Sequence, residues 1–111
     1  MASPTPTDLL YGTIDMLVLK ALCWKPAHGL EIADALHQRT DGAMLLDDAA
    51  LYKSLHRLEE EGFVESAWGR TENNRRARYY QVSAAGRKHL RARTAVWRDY
   101  VRAVLQVVGE A

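Results

Sequence analysis

The sequence predicts a mainly helical α+β fold with one small β hairpin. One observation behind this prediction is that apolar residues recur every three or four positions in four separate stretches, which is typical of amphipathic helices. Another is a pair of short β-prone stretches, residues 63–68 and 78–82, joined by a polar segment. The last is the length of 111 residues, which fits one small domain with an added helix.

Composition places the chain among folded globular proteins. Hydrophobic residues make up 48% and charged residues 26%, which is far from a disordered composition. The longest stretch without Asp, Glu, Lys or Arg has eight residues, so no membrane span is expected. The first seven residues lack the basic and apolar segments of a secretory signal, and Cys23 has no partner for an internal disulfide. We therefore expect a cytoplasmic protein.

A first helix is predicted to follow a flexible N-terminal arm, residues 1–7. Thr7 or Asp8 caps this helix, which runs to about Trp24 and ends before Pro26. Apolar residues on two sides predict burial on both, which is more than a lone small domain requires. They are Leu10, Ile14, Leu17, Val18 and Ala21 on one side, and Leu9 and Met16 on the other.

Two further helices follow in the sequence. Gly29 opens the second helix, which ends near residues 41–42. Residues 44–46 are apolar and are expected to pair briefly as a strand. An aspartate at one of residues 47–48 then caps a third helix, which runs to Glu61 and is followed by a glycine in the usual stop position.

A hairpin and a long helix complete the order. The strands at 63–68 and 78–82 are joined by residues 69–76, where adjacent asparagines tolerate positive φ. Ser83 caps a last helix of roughly 37 Å that runs to about Val108. A helix followed by an arginine-tipped hairpin is the plan of a winged helix-turn-helix. The predicted segments are the arm (1–7), a winged helix-turn-helix DNA-binding domain (8–82) and a C-terminal dimerisation helix (83–111).

Charge is distributed unevenly along the chain. Residues 1–66 carry five basic and eleven acidic side chains, whereas residues 67–111 carry ten and three, so the two parts have formal charges of −6 and +7. A basic surface binds nucleic acid because it neutralises phosphates and releases counterions. The asymmetry favours double-stranded DNA as a partner, and a solvated arginine-rich helix is the alternative.

The third helix is predicted to read bases in the major groove. Leu51, Leu55 and Leu58 lie within about 60° of one another on the helix and form its buried stripe. An α-helix fits the major groove, and its first turns usually contact the bases. An amphipathic helix with a polar outer face is the alternative. The predicted contact residues are Ala49, Tyr52, Lys53 and His56, with Arg57 at the margin.

The hairpin is predicted to grip the phosphate backbone. Four arginines fall within nine residues against a single acid, Glu72. Arginine presents paired donors that match phosphate oxygens, and it also enters narrow minor grooves. An exposed basic loop that serves only solubility is the alternative. The predicted DNA-binding residues of this wing are Arg70, Asn74, Arg75, Arg76 and Arg78.

The last helix is predicted to form the seam of a homodimer. Its apolar stripe overhangs a domain too small to bury it, and such a patch is too apolar for a monomer. A two-fold partner covers the stripe, and Leu9 and Met16 complete the interface. Trp97 has two interpretations, packing in the dimer core or a stacking wall of an effector pocket for a flat aromatic ligand. The stripe contains Leu90, Thr94, Trp97, Val101, Val104, Leu105 and Val108.

A set of short segments forms a specific combination. They are residues 10–19 (LYGTIDMLVL), 28–29 (HG), 51–59 (LYKSLHRLE), 62 (G), 68–69 (WG), 74–80 (NRRARYY) and 83–87 (SAAGR). Through them the chain resembles the PadR-like transcriptional regulators over nearly its whole length. The resemblance implies a homodimeric winged-helix repressor on a palindromic operator, with some members responding to small aromatic compounds. The family often has Gly and a hydroxyl residue where this chain has Ala49 and Ala50, and Pro in place of Lys53.

Two other function classes compete with a DNA-binding regulator. An enzyme is not expected, because the sequence has no phosphate-cradling glycine loop or nucleophile elbow. Its four histidines are also spread too widely for a local zinc motif. We therefore predict no catalytic residue, metal or cofactor. The second class is a dimeric winged-helix module that binds protein and not DNA, against which the arginine hairpin argues.

Overall fold

The computed structural model describes residues 13–109 and confirms the predicted fold class. Three helices precede a two-stranded antiparallel hairpin, and a long helix follows it. In chain order the elements are α1 (Ile14–Trp24), α2 (Gly29–Arg39), α3 (Asp48–Glu60), β1 (Val64–Arg70), β2 (Arg76–Val82) and α4 (Ala84–Val108).

Side chains cap the N-termini of three of these helices. His28 and Glu31 form a reciprocal capping box at the start of α2. Asp47 accepts from the amide of Ala50 at 2.9 Å and so caps α3, as the sequence predicted for one of two aspartates. Ser83 caps α4 in the predicted way. The first helix starts later than predicted, because Thr13 lies in a turn as the N-cap and α1 begins at Ile14. The predicted caps Thr7 and Asp8 lie outside the described residues.

The hairpin is longer than the sequence predicted. Pairing runs from Val64 opposite Val82 to Arg70 opposite Arg76, so the strands reach two residues closer to the tip on each side. A tight five-residue loop, 71–75, makes this extension possible. The amide of Thr71 donates to the carbonyl of Arg75 at 2.9 Å, and Asn74 adopts a φ of 59° within the loop.

The predicted short strand at residues 44–46 is wrong, since these residues belong to neither a strand nor a bridge. The outer edge of β2 pairs with Ala27 instead. The amide of Ala27 donates to the carbonyl of Tyr80 at 3.0 Å, and the amide of Tyr80 donates back at 2.9 Å. The turn after α1 therefore supplies the third backbone segment beside the hairpin.

The core lies around α1, against which α2, α3, β2 and α4 all pack. Its fully buried side chains include Leu19, Leu22, Leu51 and Leu55. Leu90 of α4 is also core, with only 7% of its surface exposed. The prediction that Leu90 lies in the dimer seam is wrong, because the first turns of α4 pack on the domain of their own chain.

The start of α4 is fixed firmly to the domain. The amide of Ser83 donates to the carbonyl of Phe63 at 3.0 Å, and its hydroxyl donates to the carbonyl of Gly62 at 2.7 Å. Gly86 allows this close approach, since a Cβ there would lie 2.1 Å from the carbonyl oxygen of Phe63. The direction in which α4 leaves the domain is therefore set at its first turn.

Candidate nucleic-acid interface

Helix α3 buries one side and leaves the predicted contact side open. Leu51, Leu55 and Leu58 are fully buried, as the sequence predicted, and Ser54 joins them. The structure leaves uncovered the five residues predicted to contact DNA, which are Ala49, Tyr52, Lys53, His56 and Arg57. The helix is thus held by its apolar stripe and presents a polar surface along its first turns.

Tyr52 lies against the N-terminus of α2. A Cβ built on Gly29 would lie 2.9 Å from its hydroxyl oxygen and 3.1 Å from the adjacent ring carbon, so the ring packs closely on the glycine and a larger residue there would shift it. The side chain nevertheless stays 54% exposed. The phenol therefore packs on Gly29 with one side, and its other side remains exposed.

Arg57 has an internal partner that the sequence analysis missed. Its Nε and Nη2 donate to the two carboxylate oxygens of Asp15 on α1, at 3.2 and 2.7 Å. The hydroxyl of the fully buried Ser54 donates to the same carboxylate at 2.6 Å. The hydrogen bond to Asp15 raises the pKa of Arg57. Ser54, a small polar residue within the predicted leucine stripe, is the sequence feature that could have indicated a buried polar contact.

The other cationic residues of α3 differ in their surroundings. His56 lies 3.0 Å from Glu60, one turn further along, and both side chains are exposed. Lys53 is exposed and makes no ion pair within residues 13–109. Lys53 is therefore the cationic side chain of α3 whose charge is least compensated.

The hairpin places Arg70, Arg76 and Arg78 on one face. Side chains alternate along a strand, and the register sets Trp68 opposite Arg78 and Arg70 opposite Arg76. The same face continues inward through Ser66, which contacts α3. The predicted wing arginines thus form one surface that begins where α3 ends.

Two of these three arginines donate hydrogen bonds within the protein. The Nε of Arg78 donates to the hydroxyl of Ser66 at 2.8 Å, and its Nη2 donates to Glu59 of α3 at 3.4 Å. The hydroxyl of Ser66 donates to the same carboxylate of Glu59, and this bond lowers the pKa of Glu59 with help from Arg78. Arg70 donates to the carbonyl of Asn74 at 3.2 Å.

The predicted seam residues of α4 fall into two groups. The first turns are covered by the domain, whereas the second half projects and exposes apolar side chains, with Val107 at 86% and Val108 at 71%. Val101 and Leu105 are half-buried, and Val104 is exposed. Leu9, the predicted contribution of the first helix, lies outside the described residues.

Met16 and Trp97 come together between α1 and α4. Both residues line two grooves of about 520 and 630 Å³. Arg57 lines the first groove, and Lys20, Arg91 and Arg98 line the second. Trp97 is partly exposed between these grooves. The structure is therefore compatible both with packing of Trp97 in a dimer core and with a stacking wall for an aromatic ligand.

Among residues 13–109, every helix is too short or too polar to span a lipid bilayer. The same residues contain no group of three or more His, Cys, Asp or Glu side chains placed to bind a metal ion.

Comparison with known proteins identifies the family. A model of the transcriptional regulator PadR-like family matches residues 18–92, which is about two-thirds of the chain. The chain belongs to the PadR-like family. Members of this family are transcriptional regulators and not enzymes, so the chain is a transcriptional regulator with DNA as its partner.

Solved structures agree with the PadR-like assignment. A transcriptional regulator from Clostridium thermocellum has a TM-score of 0.80 and 25% identity, covering 93% of this chain and 99% of that chain. A PadR family regulator from Eggerthella lenta has a TM-score of 0.77 and 28% identity, covering 94% and 88%. A PadR family regulator from Clostridium difficile has a TM-score of 0.76 and 26% identity, covering 88% and 100%.

Proposed function

We propose that this PadR-like regulator is a cytoplasmic repressor that binds a palindromic operator as a homodimer. In this proposal residues 8–82 form the DNA-binding domain, residues 83–111 form the dimerisation helix, and residues 1–7 are a flexible arm. The outer face of α3 reads bases in the major groove. The arginine face of the hairpin contacts the flanking phosphates, because guanidinium groups match phosphate oxygens.

The observation that carries the proposal is the link between α3 and the hairpin. Glu59 of α3 accepts hydrogen bonds from both Ser66 and Arg78 of the hairpin. This link holds the exposed first turns of α3 and the arginine face in one rigid unit. The exposed side of α3, which presents Lys53, and the arginine face then have a fixed relative position, which suits a duplex whose groove and flanking phosphates are also fixed relative to each other.

Homodimerisation is supported by the projecting half of α4. Its exposed valines form an apolar surface that a monomer leaves in water. A second copy covers the surface most simply, and two-fold symmetry then presents two α3 helices to the two halves of a palindrome. Successive major grooves lie about 34 Å apart on one side of a duplex, which sets the required spacing of the two helices.

We also propose that a small aromatic effector releases the regulator from its operator. The grooves beside Trp97 lie between α1 and α4, and one of them also touches Arg57 of the reading helix. A flat ligand stacked on Trp97 would alter the angle between α4 and the domain. The two reading helices would then lose the spacing of successive grooves, and the operator would be released.

The experiment that tests DNA binding is a salt titration with duplex DNA. A protein that neutralises several phosphates loses affinity steeply as salt increases, because counterion release drives the association. We expect a linear fall of log affinity with log salt for the wild-type protein. A flat profile, or no binding at low salt, contradicts the proposal and favours the alternative, a dimeric winged-helix module that binds protein.

A further inference from the structure

The arginines on one face of the hairpin differ in the partners of their guanidinium groups. Arg70 donates to a carbonyl of the tip, and Arg78 donates to Ser66 and Glu59. Within the described residues, the guanidinium of Arg76 has no hydrogen bond or ion pair. Its central carbon instead lies 4.2 Å from the centroid of the Trp68 ring. Arg76 is therefore a cation placed by an aromatic ring and not compensated by an acid.

Trp68 is not part of the hydrophobic core. Its side chain is 57% exposed, on a strand whose inner end is buried. Large aromatic residues are usually buried for the apolar area they remove from water. An exposed tryptophan with Arg76 on its ring and Arg78 at 5.7 Å therefore points to a role on the surface of the hairpin.

We propose that Trp68 is a positioning residue for DNA binding, which holds Arg76 extended along the arginine face so that its N–H donors meet a phosphate. This inference rests on the proposed function. A guanidinium that lies on an aromatic ring keeps its in-plane N–H groups free to donate. Attraction to the ring also restricts the Arg76 side chain to few rotamers before DNA binds. Binding therefore costs less side-chain conformational entropy.

Four proteins test this role in a double-mutant cycle: the wild type, Trp68→Ala, Arg76→Ala and the double variant. The probe is a short duplex of mixed sequence, since phosphate contacts do not depend on sequence. Affinity is measured over a series of salt concentrations. Arg75 at the tip has no side-chain hydrogen bond or ion pair within residues 13–109, so Arg75→Ala is the matched control for loss of a wing arginine.

We expect Trp68→Ala to weaken binding about two- to fivefold, the range of an exposed cation–π contact. The slope of log affinity against log salt stays at the wild-type value, because no charge is lost. Arg76→Ala lowers that slope by about one unit. In the Arg76→Ala background, Trp68→Ala has a clearly smaller effect, because only the more distant Arg78, 5.7 Å from the ring centroid, still lies over it, whereas in the Arg75→Ala background it keeps its full effect. Trp68→Phe restores most of the loss.

A DNA-independent measurement separates this role from the proposed function. Protons held over an aromatic ring resonate upfield, so the side-chain protons of Arg76 should move downfield in the NMR spectrum of Trp68→Ala. Unchanged Arg76 resonances overturn the stacking. If Trp68→Ala lowers DNA affinity equally in the wild type and in the Arg76→Ala variant, Trp68 does not act by positioning Arg76. The Trp68 ring would then contact DNA directly. If the stacking is present but the wild type does not bind duplex, the proposed function fails, and the role of Trp68 in it fails too.

Discussion

Tyr52 shows how one residue is both packed and available. Its ring fills the space left by the missing side chain of Gly29, and more than half of it stays exposed. The same residue therefore orders the junction of α2 and α3 and faces the proposed DNA surface. A hydroxyl held in this way is suited to one fixed contact with a phosphate or a base edge.

We expect Tyr52→Ala to weaken specific binding by about 1–3 kcal/mol. The ring that sets the hydroxyl position is lost, while the buried stripe of α3 is untouched. The measurement is a gel shift on a duplex selected from random DNA, with circular dichroism to confirm the fold. Tyr52→Phe is the matched control, since it keeps the ring over Gly29 and removes only the hydroxyl. Wild-type affinity of Tyr52→Ala for the selected duplex would show that another residue reads it.

Glu59 gives the fold a pH-dependent link between helix and hairpin. Its pKa is lowered below the ordinary value of 4.5, first by the hydrogen bond from Ser66 and then by Arg78. A carboxylate with a lowered pKa in the folded state contributes stability above its unfolded pKa. That contribution disappears as the pH falls through the folded pKa.

We therefore expect Glu59→Gln to be less stable than the wild type at neutral pH, because the charged acceptor of Arg78 is lost. The difference should shrink as the pH falls below the ordinary glutamate range, where the wild-type carboxylate is protonated too. Urea unfolding of both proteins at about pH 7 and about pH 3 measures this. A difference that is the same at both values would contradict a role for the charge of Glu59.

Residue types were predictable from the sequence, but their internal partners were not. The arginines of the hairpin and the polar side of α3 followed from composition and periodicity. The pairings of Arg57 with Asp15 and of Arg78 with Glu59 join residues 42 and 19 positions apart. Periodicity indicates which side of one helix or strand is buried. It does not predict ion pairs between side chains of different elements.

The contact between α1 and α3 depends on a polar cluster within an apolar interface. Asp15 of α1 accepts from Ser54 and Arg57 of α3. Ser54 is fully buried, and its hydroxyl has Asp15 as its acceptor. The position of α3 on the domain is therefore fixed by directional bonds as well as by leucine packing.

We expect Asp15→Ala to destabilise the protein by about 1–3 kcal/mol, since it leaves the buried hydroxyl of Ser54 without an acceptor. Ser54→Ala in the same chain removes that unpaired hydroxyl, so the double variant should lose less than the sum of the two single changes. Urea unfolding of the four proteins completes the cycle. Strict additivity would show that the bond between these residues is not important for stability.

Among the elements, helices were predicted better than strands. The C-terminal end of α1 and both ends of α2 and α4 agree with the predictions, because a proline, caps and glycines mark them in the sequence, whereas α1 starts later than predicted. The hairpin extends further because strand pairing depends on the partner strand and on the conformation of a short loop. Residues 44–46 are apolar without forming a strand, since the turn at Ala27 pairs with β2 instead.

On the scale of the whole molecule, α4 determines the shape. The molecule is 49 Å in its longest dimension, and a helix of 25 residues spans about 37 Å of that. Its N-cap, Ser83, is hydrogen-bonded to Gly62 and Phe63 just before β1, and its second half extends into solvent with apolar residues exposed. This geometry suits a rigid arm that joins two DNA-binding units.

We expect Val101→Glu to convert a dimer into monomers, because a charge at the centre of the proposed seam is costly to bury. Sedimentation or size-exclusion chromatography measures the change. Gln106→Glu is the matched control, since it adds the same charge to the same helix about 140° away from Val101 and should leave the dimer intact. A dimer unchanged by Val101→Glu would place the interface elsewhere.

We propose that two copies present their α3 helices to successive major grooves of one duplex. Hydroxyl-radical footprinting on a duplex selected by the wild-type protein tests it most directly. We predict two protected stretches related by an inverted repeat, on one side of the duplex and about 10 base pairs apart. A single protected stretch without an inverted partner, or no protection at all, would contradict the claim.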